Sequence, residues 1–220
     1  MNAQIEEMTA IAKTGVDAIV WVSNRLDLHN DGDDVWIKNA EFLLSKLPED
    51  IAIGIYECPY PYKRLLTPKI LDWCISTGRF AFIKDTCCDP DMLEARLEQL
   101  KGTSIKLFNA NSQTFLYTLR HGAAGFSGIM GNFHPDLYAW VCDNYEKEPE
   151  KAERVQGFLT LTAFLEALAY PQTAKYHMNK VGVPMSLWSR SCDQKKFTKY
   201  QRMIIDELMQ TENHVRDIIK

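Results

Sequence analysis

The sequence lacks the marks of several large protein classes. No apolar run is long and unbroken enough to span a bilayer, so no membrane partner is expected. The first residues, MNAQIEEMTAIAK, show no basic segment leading into an apolar core, so no secretory leader is expected either. Six cysteines and five histidines are present, yet they form no CxxC pair, no HExxH and no Cys/His ligand spacing. Neither a metal site nor another cofactor is therefore expected. Cys58, Cys74, Cys87, Cys88, Cys142 and Cys192 read as free thiols, which suits a reducing cytoplasm. A net charge of −4 gives no pull toward nucleic acid or an anionic surface. What is present is a globular composition: 46% hydrophobic and 25% charged residues argue against disorder.

Helical and strand-like stretches alternate along the first two-thirds of the chain. AQIEEMTAIAKTG has apolar residues at helical spacing and stops at Gly15. VDAIVWVS, IAIGIYECP, FAFIKD, TSIKLFNA and AAGFSGIM read as strands. Between them, DDVWIKNAEFLLSKL, TPKILDWCISTG, DPDMLEARLEQLKG and SQTFLYTLRHG read as helices. Thr67 and Asp89 suit N-caps, Pro68 and Pro90 suit first helical positions, and Gly78 suits a helix end. Five strands joined by helices imply a parallel sheet covered by helices, and the single βα step favours a TIM-type barrel. After Asn132 only helical patterns follow. The expected division is 1–146 for the α/β part and 147–220 for a packed helical extension.

In such an architecture the chemistry sits where strands end. Tyr56 ends IAIGIY, Lys84 ends FAFIK, and Asn109 ends KLFN. FAFIK is apolar on both faces up to Lys84, with Phe80, Phe82 and Lys84 alternating on one side. An ammonium in an apolar barrel mouth loses hydration, which favours the neutral, nucleophilic amine. Such an amine attacks a carbonyl to give a Schiff base, and Tyr56, one strand earlier, is placed to shuttle the protons. Blander readings stand beside these. Lys84 followed by Asp85 fits a solvated strand end or an ion pair. Tyr56 fits rim packing, Asn109 and Asn111 fit a turn and a cap, and His121 fits a helix C-terminus.

Three stretches in order, YECP, IKDT and GAAGFSGIMGNFHPDLY, resemble the tyrosine, lysine and glycine-rich motifs of the dihydrodipicolinate synthase/N-acetylneuraminate lyase family. AKYHMNKVGVP resembles its C-terminal helical region. The resemblance implies a (β/α)8-barrel class I aldolase or lyase, usually tetrameric, that binds pyruvate or a related 2-keto acid as a Schiff base. It implies Lys84 as the Schiff-base lysine, Tyr56 as the relay phenol, and Ser127 and Gly128 as backbone contacts to the keto acid. It also implies a homo-oligomer without cofactor.

The departures from the family pattern narrow the expectation. Glu57 stands where asparagine usually follows the tyrosine, and Pro61 stands where the synthases carry a carboxylate-binding arginine. Arg64 is the shifted candidate for a distal carboxylate or hydroxyl. An aldolase or dehydratase for a sugar-derived 2-keto acid fits better than the synthase itself. Only strands four to eight of the barrel are matched, so the resemblance implies an N-terminally incomplete barrel. A non-catalytic or truncated relative, or a small-molecule-binding regulatory protein using the same pocket, is the competing expectation.

Overall fold

The computed structural model describes residues 2–220. They form two compact units, 2–110 with 117–125, and 111–116 with 126–220. The division differs from the expected break at 146/147. It falls earlier because α6 (Pro135–Asn144) packs with α7 (Pro149–Thr162) in the second unit.

The first unit is built on a parallel sheet in simple sequential order. Strands β1 (Ala18–Val22), β2 (Ala52–Tyr56), β3 (Phe80–Asp85) and β4 (Lys106–Asn109) pair in turn, followed by the two-residue β5 (Gly125–Phe126). The strands β1 and β5 stand at the two ends of this order. Helices α1 (Asn2–Ala12), α2 (Asp33–Leu44), α3 (Pro68–Thr77), α4 (Pro90–Leu100) and α5 (Phe115–Arg120) intervene. The end signals act as expected. The Thr67 hydroxyl accepts from Ile70 N–H at 3.3 Å, and the Asp89 carboxylate accepts from Met92 N–H at 3.0 Å. Gly78 ends α3 in the left-handed region at φ 66°, which a side chain would disfavour.

The two faces of the sheet are unequal. Ile19, Trp21, Ile53, Ile55, Ile83 and Leu107 are buried in one core cluster with Trp36, Ile70, Leu71 and Leu93 from the helices. The opposite face carries Val20, Gly54, Tyr56, Phe82, Lys84 and Phe108, and it is more open; Val20 is 48% exposed. The strand FAFIK is therefore covered fully on one side, not on both. Phe80 also leaves the face expected from alternation. It packs edge-on against Trp21 and Trp73 on the helix side, and a register irregularity at Ile53/Gly54 absorbs the switch.

The second unit is helical. It holds α6, α7, α8 (Gln172–Lys180) and α9 (Lys199–Ile218), with buried Leu137, Val141, Val155, Leu159, Ile205 and Leu208. Helix α9 begins at Lys199, where Thr198 caps it through a reciprocal box with Gln201. The expected strand AAGFSGIM shrinks to Gly125–Phe126 and passes into a 3-10 turn at Ile129–Asn132. Phe126 stacks on Tyr138 at 3.8 Å between ring centroids, which draws this segment onto α6. Among the described residues no helix is long and apolar enough to cross a membrane.

Candidate functional site

Adjacent parallel strands bring Tyr56 and Lys84 into direct register. Both side chains rise from the open face, and the Lys84 Nζ lies 4.3 Å from the centroid of the Tyr56 ring. The pair in register below them is Gly54 and Phe82. A Cβ on Gly54 would stand 2.3 Å from the Phe82 ring, so glycine there is what lets that ring lie flat across β2. Phe82 in turn meets Phe108 of β4 edge-on at 6.1 Å. The floor beneath the amine and the phenol is therefore apolar and aromatic.

Tyr56 is half-buried. Burial, together with the neighbouring Cys58 thiol that shares a hydrogen bond with it, holds the phenol above its ordinary pKa. The phenol thus keeps its proton at neutral pH and is suited to donate it. The loop after β2 is shaped by Asn24, whose amide nitrogen reaches the carbonyls of Cys58, Tyr60 and Tyr62 at 3.0, 2.8 and 2.7 Å. Asn24 is buried in the turn after β1 and fixes the CPYPY loop beside the site.

Tyr56 and Lys84 are each followed by a carboxylate on the buried face. Glu57 and Asp85 are both 0% exposed, and both meet Arg96 of α4, which is 4% exposed. The Arg96 guanidinium donates to both Glu57 oxygens, at 2.8 and 3.1 Å, to Asp85, and to the Leu66 carbonyl at 2.7 Å. Glu57 accepts further from Leu66 N–H at 2.7 Å and Thr86 N–H at 3.1 Å, and Asp85 accepts from Cys87 N–H at 2.8 Å. Burial pushes the Glu57 carboxyl above its usual pKa; Arg96 pulls it down, and nearby Asp85 raises it again. Two signals for this cluster stand in the sequence: a carboxylate one step past each strand-end residue, and an arginine on the apolar stripe Leu93–Leu97–Leu100 of α4. What it lacked was any sign that the three converge.

The other expected site residues lie elsewhere. Asn109 is in register with Asp85, on the buried face away from Lys84, and its amide donates to Thr118 at 3.1 Å. Arg64 is engaged by carboxylates of the chain itself, Asp33 at 2.8 Å and Asp27 at 3.6 Å. The Ser23 hydroxyl donates to the Arg64 carbonyl at 2.6 Å, so the residue ties the loops after β1 and β2 together. Ser127 and Gly128 fall in the second unit, between β5 and the 3-10 turn. Asn111 accepts from Thr114 N–H at 3.0 Å, and His121 meets the Tyr117 carbonyl at 2.8 Å, as a cap and a helix-end contact would. No group of three or more His, Cys, Asp or Glu side chains among the described residues could hold a metal ion.

No protein-family model matches the chain, and no curated protein matches it. Solved structures do. A monomeric dihydrodipicolinate synthase variant superposes with a TM-score of 0.82 at 14% identity, over 95% of this chain and 69% of that one. A prophage protein of the dihydrodipicolinic acid synthase family from E. coli K12, in complex with pyruvate, gives 0.80 at 18%, over 94% and 70%. The dihydrodipicolinate synthase of Thermotoga maritima gives 0.78 at 15%, over 95% and 70%. Across nearly its whole length this chain has the α/β fold of dihydrodipicolinate synthase structures, and it spans about 70% of their length.

Proposed function

We propose that the chain belongs to the dihydrodipicolinate synthase/N-acetylneuraminate lyase family. We assign it the lysine-bearing strands of the family's (β/α)8 barrel, and with them a class I aldolase or lyase acting on pyruvate or a sugar-derived 2-keto acid. The observation that carries this is the register pairing of Tyr56 with Lys84 on the open face of the sheet, amine over ring at 4.3 Å. The fold of the chain supports the family, and the pyruvate complex of one structural neighbour supports the substrate class. Another neighbour is a monomeric variant, so the fold by itself does not call for a tetramer.

The chemistry follows from the two groups. The Lys84 amine attacks the keto carbon, forming a C–N bond, and the former carbonyl oxygen leaves as water. The Tyr56 phenol, which keeps its proton at neutral pH, gives it to the oxygen and recovers one from the amine as the carbinolamine forms; it then gives a second as water departs, leaving the iminium beside a phenolate that regains its proton from solvent or substrate. The resulting iminium draws electrons from the adjacent C–H or C–C bond, which then breaks or forms. Hydrolysis of the iminium returns the lysine. Trapping with borohydride in the presence of pyruvate, followed by peptide mapping, tests the assignment. The expected adduct is at Lys84; an adduct at another lysine, or none, overturns it. Tyr56→Phe is expected to slow adduct formation by about 10²–10⁴ without loss of fold.

A further inference from the structure

We infer that Arg96 is the positioning residue of this site: its guanidinium, gripping the carboxylate next to Tyr56 and the carboxylate next to Lys84, sets the phenol against the amine. The inference rests on the reading of Lys84 and Tyr56 as the reacting pair. It follows from the alternation of side chains along a strand. Tyr56 and Glu57 are neighbours on opposite faces, as are Lys84 and Asp85. Whatever fixes Glu57 and Asp85 on the buried face therefore fixes the backbone from which Tyr56 and Lys84 project on the open one.

Arg96 contacts both carboxylates from α4 and also takes the Leu66 carbonyl at the end of the loop after β2. The carboxylates in turn hold the backbone N–H groups of Leu66, Thr86 and Cys87. The Thr86 hydroxyl donates to the Glu57 carbonyl at 2.7 Å, closing the link between the two loops. One cation thus joins two strand ends, two loops and a helix. The choice of arginine is specific. Glu57 needs a two-pronged donor, and Asp85 and Leu66 need further N–H groups in the same plane; a lysine ammonium cannot supply that fork. Replacement of the fork by a point charge leaves the cluster charge unchanged but frees the strand ends to shift. A displacement of about 1 Å in a reacting group costs on the order of 10²-fold in rate.

The test compares Arg96→Lys, Glu57→Gln and Asp85→Asn with the parent chain, each first checked for fold by circular dichroism and thermal unfolding. Two readouts are taken on every variant that folds. One is the rate of the borohydride-trapped pyruvate adduct at Lys84. The other is the pH dependence of Lys84 acylation by acetic anhydride, with exposed Lys101 as internal reference. Arg96→Lys is expected to lower the adduct rate by about 10²-fold and to move the pH midpoint of Lys84, with Lys101 unchanged. Folded variants that keep both the parent rate and the parent pH profile overturn the inference. If Arg96→Lys does not fold, Asp85→Asn, which keeps an acceptor for Arg96, decides by the same two readouts. If the parent chain forms no pyruvate adduct, the Schiff-base reading falls, and the acylation profile alone judges the positioning role.

Discussion

Each unit of the molecule buries a carboxylate cluster, and the two are held by different donors. In the first unit, Arg96 holds Glu57 and Asp85, and every carboxylate oxygen there has a donor. In the second, Glu212 of α9 is held by His134 Nδ1 at 3.0 Å and by His177 Nε2 at 3.0 Å, with Arg216 adding a contact at 3.3 Å. All three of His134, His177 and Glu212 are 0% exposed. The remaining ring nitrogens, His134 Nε2 and His177 Nδ1, are buried without a protein partner. A guanidinium keeps its proton across the working pH range and offers several N–H donors in one plane, whereas each imidazole here turns a single ring nitrogen to the carboxylate. The first cluster is thus a clamp around a cation of fixed charge, and the second is one carboxylate shared by two imidazole rings. The clamp lies beneath the candidate site; the imidazole–carboxylate cluster ties α6, α8 and α9 of the helical unit.

The strongest way to break this comparison is to remove the clamp. Arg96→Ala leaves two buried carboxylates without their cation and is expected to cost about 3–5 kcal/mol. Urea unfolding of the variant measures it. A loss near zero would mean that solvent reaches the cluster and that it is no clamp.

The second test uses pH. Burial works to raise the Glu212 carboxyl, but hydrogen bonds from His134 and His177 outweigh it and hold the pKa down at about 2, against an ordinary 4.5. A depressed folded-state pKa contributes stability that is present above the unfolded value and lost as pH falls through the folded one. The helical unit is therefore expected to weaken between about pH 4.5 and pH 2. Glu212→Gln should remove that acid dependence and cost about 1–3 kcal/mol at neutral pH, because it weakens buried hydrogen bonds. Denaturation midpoints across pH, for parent and variant, give the answer; identical acid profiles would reject the assignment.

A third test approaches the site from its floor. Gly54→Ala drives a methyl group into the Phe82 ring and is expected to cost about 1–3 kcal/mol through overpacking. Because Phe82 lies directly below Lys84, the same variant should slow the Lys84 adduct. A slowed adduct with unchanged stability would show that the ring swings toward the amine at little cost to the fold. The smallest effect belongs to Thr198→Ala, which removes the cap of the helix that carries Glu212. About 1 kcal/mol is expected, read as a lowered thermal midpoint with the site in the first unit untouched.

Much of the fold was legible because its signals are local. Strand alternation, the Thr67–Pro68 and Asp89–Pro90 starts and the Gly78 stop placed β1 to β4 and their helices within a few residues. The pairing of Tyr56 with Lys84 was legible for a related reason: each stands near the end of an apolar strand, and consecutive parallel strands pair in register. Asn109 looked equivalent by the same reasoning, yet it lies one residue out of phase with Lys84 and so on the buried face. Arg64 looked free for a ligand, but its partners Asp27 and Asp33 lie more than thirty residues earlier, beyond the reach of pattern reading.

By itself the sequence determined the order and kind of the elements, because capping, turn chemistry and hydrophobic period act over one or two turns of chain. Only the tertiary structure decided which side chains meet. It turned Phe80 to the helix side through a register irregularity. It brought Arg96 to Glu57 across 39 residues and His134 to Glu212 across 78. Buried charges have no periodic signature; they are placed by the requirement that each find a partner once water is excluded, and that requirement is met only in three dimensions.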